Sequence, residues 1–131
     1  MYIAIDGDDV GSEIERLIVL CQPDELVKYW NDVSEALANL KRKLFVNEAK
    51  VLICGGDTIL AELKDNPSPQ LIYELLSNTS PIGFSVGTGQ TMLEAHIALK
   101  TAKASGKGCW IDYHDLTSIL KLQQEFRESA N

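Results

Sequence analysis

The run Asp6-Gly7-Asp8-Asp9 places three carboxylates within four residues, where the apolar stretch Tyr2-Ile3-Ala4-Ile5 stops. Carboxylates this close repel one another unless a cation or solvent compensates them. Carboxylate and carbonyl oxygens are also the donors that Mg²⁺ and Mn²⁺ select. Gly7 has no side chain, so its carbonyl can come close to a metal or a phosphate. Taken alone, the same run also suits an acidic loop that caps a helix through Asp8 or Asp9. Two further segments carry related chemistry. Gly55-Gly56-Asp57 separates two apolar runs as a tight hairpin turn does, and it offers one more carboxylate. Ala102-Lys103-Ala104-Ser105-Gly106-Lys107-Gly108 reads as a helix end that releases a glycine-flanked lysine, with Lys103 one turn earlier. Lysine acts on phosphate as a point charge, although cations also cap helix C-termini. A carboxylate cluster with a separate cluster of Lys100, Lys103 and Lys107 suits a metal-bound phosphate ligand better than a nucleic-acid groove, although composition alone favours a solvated surface for both clusters.

Secondary structure must bring these groups together. Tyr2 to Ile5 reads as a buried central strand that ends at a polar edge. A short helix follows, with Ile14, Leu17, Ile18 and Cys21 on one face. Pro23 opens a longer helix with Asp24 and Glu25 in its first turn. Its core stripe is Leu26, Trp30, Val33, Leu37, Leu40 and Leu44. Strands over Lys50–Cys54 and Thr58–Leu63 flank the Gly-Gly-Asp turn, and a short helix covers Gln70 to Leu76. Ile82 to Val86 reads as a strand, with Gly87-Thr88-Gly89 as a small-residue turn after it. A helix from Thr91 to Ser105 stops at Gly106. A short strand over Cys109–Ile111 and a helix over Asp115–Glu128 finish the chain. The hairpin argues against a purely parallel doubly wound sheet. The order fits an α+β fold, ferredoxin-like at its centre, with a mixed, mainly antiparallel sheet flanked by helices. In such a sheet the first strand lies beside the third, which stands Asp57 across from Asp6.

The 131 residues, 45% of them hydrophobic, suit one domain over residues 1–131 with a real core. A net charge of −7 argues against a duplex-binding face, so no stable nucleic-acid binding is expected. No apolar run approaches the ~20 residues of a membrane span, and the start lacks the pattern of a secretory leader. Cys21, Cys54 and Cys109 match no C-x-x-C spacing and read as reduced thiols of a cytoplasmic protein. His114 has no second histidine or cysteine nearby to form a zinc site. Trp30, Trp110 and Cys54 read as packing residues, and His96 as packed or partly exposed.

The stretch Tyr2-Ile3-Ala4-Ile5-Asp6-Gly7-Asp8-Asp9-Val10-Gly11 and the hairpin Cys54-Gly55-Gly56-Asp57 resemble the palm domains of GGDEF diguanylate cyclases and of type III CRISPR polymerase subunits. The sequence is most similar to the minimal CRISPR polymerases, small free-standing palms, from Met1 to about Ile111. The resemblance implies Asp6 and Asp57 as metal ligands, with Gly7 lending its carbonyl. It places the amides around Asp9 and Val10 and the turn glycines Gly55 and Gly56 at the nucleotide. Lys103 and Lys107 match the family's A-K-x-x-G-R/K segment and would contact phosphates. Two Mg²⁺ or Mn²⁺ ions would support attack of a ribose hydroxyl on ATP, and two such steps would give a cyclic dinucleotide. The implied setting is anti-phage signalling by a homodimer with opposed sites, its product read by a separate effector that could be membrane-anchored.

Three positions depart from the pattern. Thr58 stands where most relatives carry a second hairpin acid, which leaves Asp8 or the metal to help deprotonate the attacking hydroxyl. Ile14 stands where diguanylate cyclases read guanine with asparagine, and Val46-Asn47-Glu48-Ala49 replaces their R-x-x-D inhibition motif. Adenine is therefore favoured over guanine, and a second, different nucleotide stays open. Two other readings stay open as well: a catalytically silent nucleotide-binding sensor palm, and an interaction module whose aspartates only cap a helix.

Overall fold

The computed structural model describes residues 1–77 and 82–130. Strand β1 (Tyr2–Gly7) leads through Asp8 and Asp9 into α1 (Val10–Val19). Asp9 takes a left-handed φ of 59° and its side chain makes no cap bond, so the first-turn amides of α1 stay available. Helix α2 (Pro23–Val46) starts at its proline and carries Asp24 and Glu25 in the first turn, where the helix dipole favours them. A two-residue turn joins β2 (Lys50–Gly55) to β3 (Thr58–Glu62). Within it only Gly56 has positive φ (60°), the pattern of a type II′ hairpin. Helix α3 (Pro69–Ser77), strand β4 (Phe84–Gly89), helix α4 (Met92–Ala104), strand β5 (Trp110–Asp112) and helix α5 (Tyr113–Ala130) complete the order. No helix among the described residues is long and apolar enough to cross a membrane.

The sheet runs β2-β3-β1-β4-β5. β1 is antiparallel to both β3 and β4, and β5 joins β4 in parallel. This is the expected α+β palm arrangement: a mixed, mainly antiparallel sheet with the first strand beside the third. Alternation along the strands separates two faces. Ile3, Ile5, Ile59, Ala61, Phe84 and Val86 pack with Val33, Leu37, Leu40 and Leu44 of α2 and with Leu71, Ile72 and Leu75 of α3. On the other face α4 lies directly on the backbone. A Cβ at Gly87 would stand 2.2 Å from the Leu99 nitrogen and 2.4 Å from the Ala95 oxygen, so only glycine admits the helix there. Ala95, Ala98 and Ala102 are the matching small residues of α4.

Several sequence expectations change here. Gly87-Thr88-Gly89 is not a turn but the second half of β4, small because α4 presses on it. Trp30 is 43% exposed, and Tyr29 takes its place against the core. Leu17 is buried as expected, but Ile18 is exposed and Cys21 lies beyond the end of α1 at a left-handed φ of 54°. Cys54 is exposed rather than buried, because β2 is an edge strand and only its Val51 is half-buried.

Candidate active site

The C-terminal end of β1 gathers the groups singled out by the sequence. Register places Asp6 opposite Thr58 on β3 and opposite Ser85 on β4, so a hydroxyl flanks it on each side. Thr58 Oγ1 donates to Asp6 Oδ1 at 2.6 Å. Ser85, fully buried, donates to Asp8 Oδ1 at 2.6 Å. The Gly108 amide donates to Asp8 Oδ2 at 2.9 Å, which ties the loop after α4 to the loop after β1. Both Asp8 oxygens are thus occupied, and its side chain keeps only 9% of its exposure.

Asp57 comes in from the hairpin. Its carbonyl accepts the Gly7 amide at 2.9 Å, and a Cβ on Gly7 would lie 2.7 Å from Val10 Cγ2 and 3.0 Å from Asp57 Cβ. Gly7 therefore lets the hairpin close against β1. Burial, and then the charge of Asp6, push the Asp57 carboxyl above the ordinary carboxylate range.

Two lysines answer these acids. Lys103, from the last turn of α4, places Nζ 2.7 Å from Asp6 Oδ2, 2.7 Å from the Gly7 carbonyl and 3.5 Å from Asp8 Oδ1. Lys107, in a left-handed conformation between two positive-φ glycines, pairs with Asp9. That bond to Asp9 raises its pKa above the ordinary lysine value. Lys100 is exposed and makes none of these contacts, so the lysine cluster resolves into two members.

Alongside runs a cleft of about 780 Å³ lined by Asp8, Asp9, Ser12, Tyr29, Lys107 and Gly108, among others. Glu13 and Arg16 also border it and pair through bonds of 2.7 and 3.0 Å, which hold the Glu13 carboxyl below its ordinary value. Tyr29 is pushed up by burial first and then by Glu13, Asp57 and Asp9. Sequence reading named neither Tyr29 nor Ser85. The spacing Tyr29, Val33, Leu37, Leu40, Leu44 carried the signal for the first. Nothing local marked the second, because Ser85 meets Asp8 only through strand pairing. Gly55 and Gly56 stand at the hairpin with open space around them.

No three His, Cys, Asp or Glu side chains among the described residues form a ready-made metal cage. The donor set still fits a hard divalent ion. Asp6, Gly7 and Asp8 already turn three oxygens onto one cationic nitrogen, and Asp57 stands beside them with a charge that Asp6 opposes. A Mg²⁺ held by one or two carboxylates fills its other positions with water and phosphate oxygens.

A family model for the minimal CRISPR polymerase domain matches residues 2–113. Among solved structures, the active GGEEF domain of a diguanylate cyclase from Vibrio cholerae aligns with a TM-score of 0.56. The identity is 15%, over 86% of this chain and 81% of that one, so the likeness is one of fold. No curated protein matches the chain.

Proposed function

This chain belongs to the minimal CRISPR polymerase family, and on that premise we propose that it is a metal-dependent nucleotidyltransferase that builds a cyclic dinucleotide from ATP. The observation that carries this is the convergence of the Asp6 carboxylate, the Gly7 carbonyl and the Asp8 carboxylate on one cation, with the Asp57 carboxyl alongside. Asp6, Gly7 and Asp57 would hold Mg²⁺ or Mn²⁺. When bound, the ions acidify the attacking ribose hydroxyl and neutralise the leaving pyrophosphate.

The chain's own residues do the rest by position and charge. The uncapped amides that open α1, around Asp9 and Val10, stand beside the cleft that Asp9 and Ser12 line, and they would receive the triphosphate. Lys103 and Lys107 neutralise phosphate charge, and the Gly55-Gly56 turn leaves open space at the hairpin for the nucleotide. Asp8 acts by fixing the β1 end against Ser85 and Gly108, a bracing role that its two occupied oxygens favour over proton transfer. At the α-phosphorus, a bond to the ribose oxygen forms as the bond to pyrophosphate breaks, and the hydroxyl proton passes to solvent. Adenine is favoured because Ile14 packs against the core and has no hydrogen bond to offer a guanine edge. Since one chain carries one such site and a cyclic product needs two triphosphates, the working form is a homodimer with opposed sites. Its setting is cytoplasmic anti-phage signalling through a separate effector.

A second reading rests on Thr58, which gives its hydroxyl to Asp6 where a second acid would stand. It makes the chain a silent nucleotide-binding palm. Incubation with ATP and Mg²⁺ or Mn²⁺, followed by chromatography and mass spectrometry, separates the two. Nucleotidyl transfer gives a phosphodiester-linked adenine dinucleotide, absent with Asp57→Ala. ATP bound but unchanged favours the silent palm.

A further inference from the structure

The oxygens assigned above to a metal are already in use. Lys103 Nζ takes Asp6 Oδ2 and the Gly7 carbonyl at 2.7 Å each, with Asp8 Oδ1 at 3.5 Å. An ammonium surrounded by oxygens of three consecutive residues sits much as a small cation would. A Mg²⁺ ion binds oxygen at about 2.0–2.1 Å. Placed on the same carboxylate and carbonyl, it would stand within a few ångströms of the ammonium. Like charges that close repel strongly even at a protein-like dielectric, by Coulomb's law. Metal and lysine therefore exclude each other at Asp6 and Gly7. Lys103 stands in the last turn of α4, with 27% of its side chain exposed on the open side of the cluster. Once displaced, it keeps its charge and needs a new anion.

We propose that Lys103 is the resident counter-ion of this site. It weakens the binding of free divalent cations, which displace it only at saturating concentration, and it is released readily when a metal arrives with a triphosphate that supplies the lysine's next partner. The exchange conserves pairing, since the acids pass from ammonium to metal while the ammonium passes from acid to phosphate. Lys107 on Asp9 is poised for the same exchange one step outward. Metal and nucleotide then bind with positive coupling, because each removes a cost the other would meet alone. This rests on the metal-site reading of Asp6 and Gly7.

Calorimetric titration of MnCl₂ into nucleotide-free wild type and K103M tests it. K103M should bind Mn²⁺ at least about tenfold more tightly than wild type, within the usual range of coupling between sites. The α,β-methylene analogue of ATP should strengthen Mn²⁺ binding to wild type and do so far less for K103M. Equal or weaker Mn²⁺ binding by K103M overturns the proposal while leaving the metal site standing. No Mn²⁺ binding by either protein, with or without the analogue, overturns the metal site and the proposal together. A measurement on wild type alone guards against a misfolded variant: amine acylation followed by mass spectrometry. Saturating Mn²⁺ should speed labelling of Lys103 relative to Lys64, and an unchanged ratio with metal bound overturns the proposal.

Discussion

The two ends of β4 both carry buried polar groups, and they solve the same problem in opposite ways. At the far end the buried Thr88 donates to Asp112 at 2.6 Å and accepts the Trp110 indole N–H at 2.9 Å. The second Asp112 oxygen takes the His114 amide at 3.1 Å. One carboxylate is matched by neutral donors that strand pairing and a helix start supply. At the near end Asp6, Asp8 and Asp57 crowd together, and burial with the charge of Asp6 pushes the Asp57 carboxyl up. The cations that answer are the half-buried Lys103 and the exposed Lys107. A polar cluster whose groups are all matched by the fold is a structural device. One that stays in surplus of negative charge calls for a cation from outside, and the proposed site rests on that difference.

The comparison breaks first at Asp57. Asp57→Ala should lower nucleotidyl transfer on the order of 10³-fold, the upper range for losing one electrostatic contact to a transition state. Without metal the variant should melt no earlier than wild type, because it removes a carboxyl that Asp6 opposes; melting curves with and without Mn²⁺ show both effects. Between the two ends lies Gly87, where α4 meets the sheet. Gly87→Val should destabilise the fold by about 3 kcal/mol through overpacking, read by denaturant unfolding, and should weaken the seating of Lys103 against Asp6. Thr88→Val tests the far end. It should cost about 2 kcal/mol by stranding Asp112 and the Trp110 N–H, and leave Mn²⁺ affinity unchanged. Thr58→Val acts at the near end, where losing the hydroxyl that orients Asp6 should reduce Mn²⁺ affinity about tenfold; Thr58→Ser should restore it.

The smallest effect is at Tyr29. Its folded pKa lies above its ordinary value, because burial and the nearby acids disfavour the phenolate. Its contribution is therefore complete below about pH 10, the ordinary tyrosine value, and is lost as pH rises through the folded value. Tyr29→Phe should flatten that alkaline loss slightly, as seen in urea unfolding at pH 9 and 11.

Much of the site was legible because its signals are local. An apolar run that stops at Asp6, a Gly-Gly pair before Asp57 and a lysine one turn before a glycine stop each depend on a few neighbouring residues. The pairing of the first strand with the third followed from the ferredoxin-like element order that the hairpin suggested. Side-chain partners across strands were not legible. Thr58 read as a missing acid, yet register sets it opposite Asp6 as a hydrogen-bond donor. Ser85 carried no mark at all. Gly87-Thr88-Gly89 read as a turn because small residues serve both turns and close helix contacts, and only the packed α4 distinguishes the two. Tyr29 and Trp30 are neighbours that both fit a helical stripe, and only the packed structure shows that Tyr29 lines the cleft while Trp30 is exposed.

In the proposed site Asp6 and Asp57 hold a catalytic cation beneath a triphosphate. Pyrophosphate release from ATP tests it most directly, measured for wild type and Asp57→Ala with Mn²⁺ and with EDTA. Release by wild type with Mn²⁺ alone, absent from the variant and from both EDTA samples, is the result expected. Equal release by wild type and variant, or none from wild type under any condition, would contradict it.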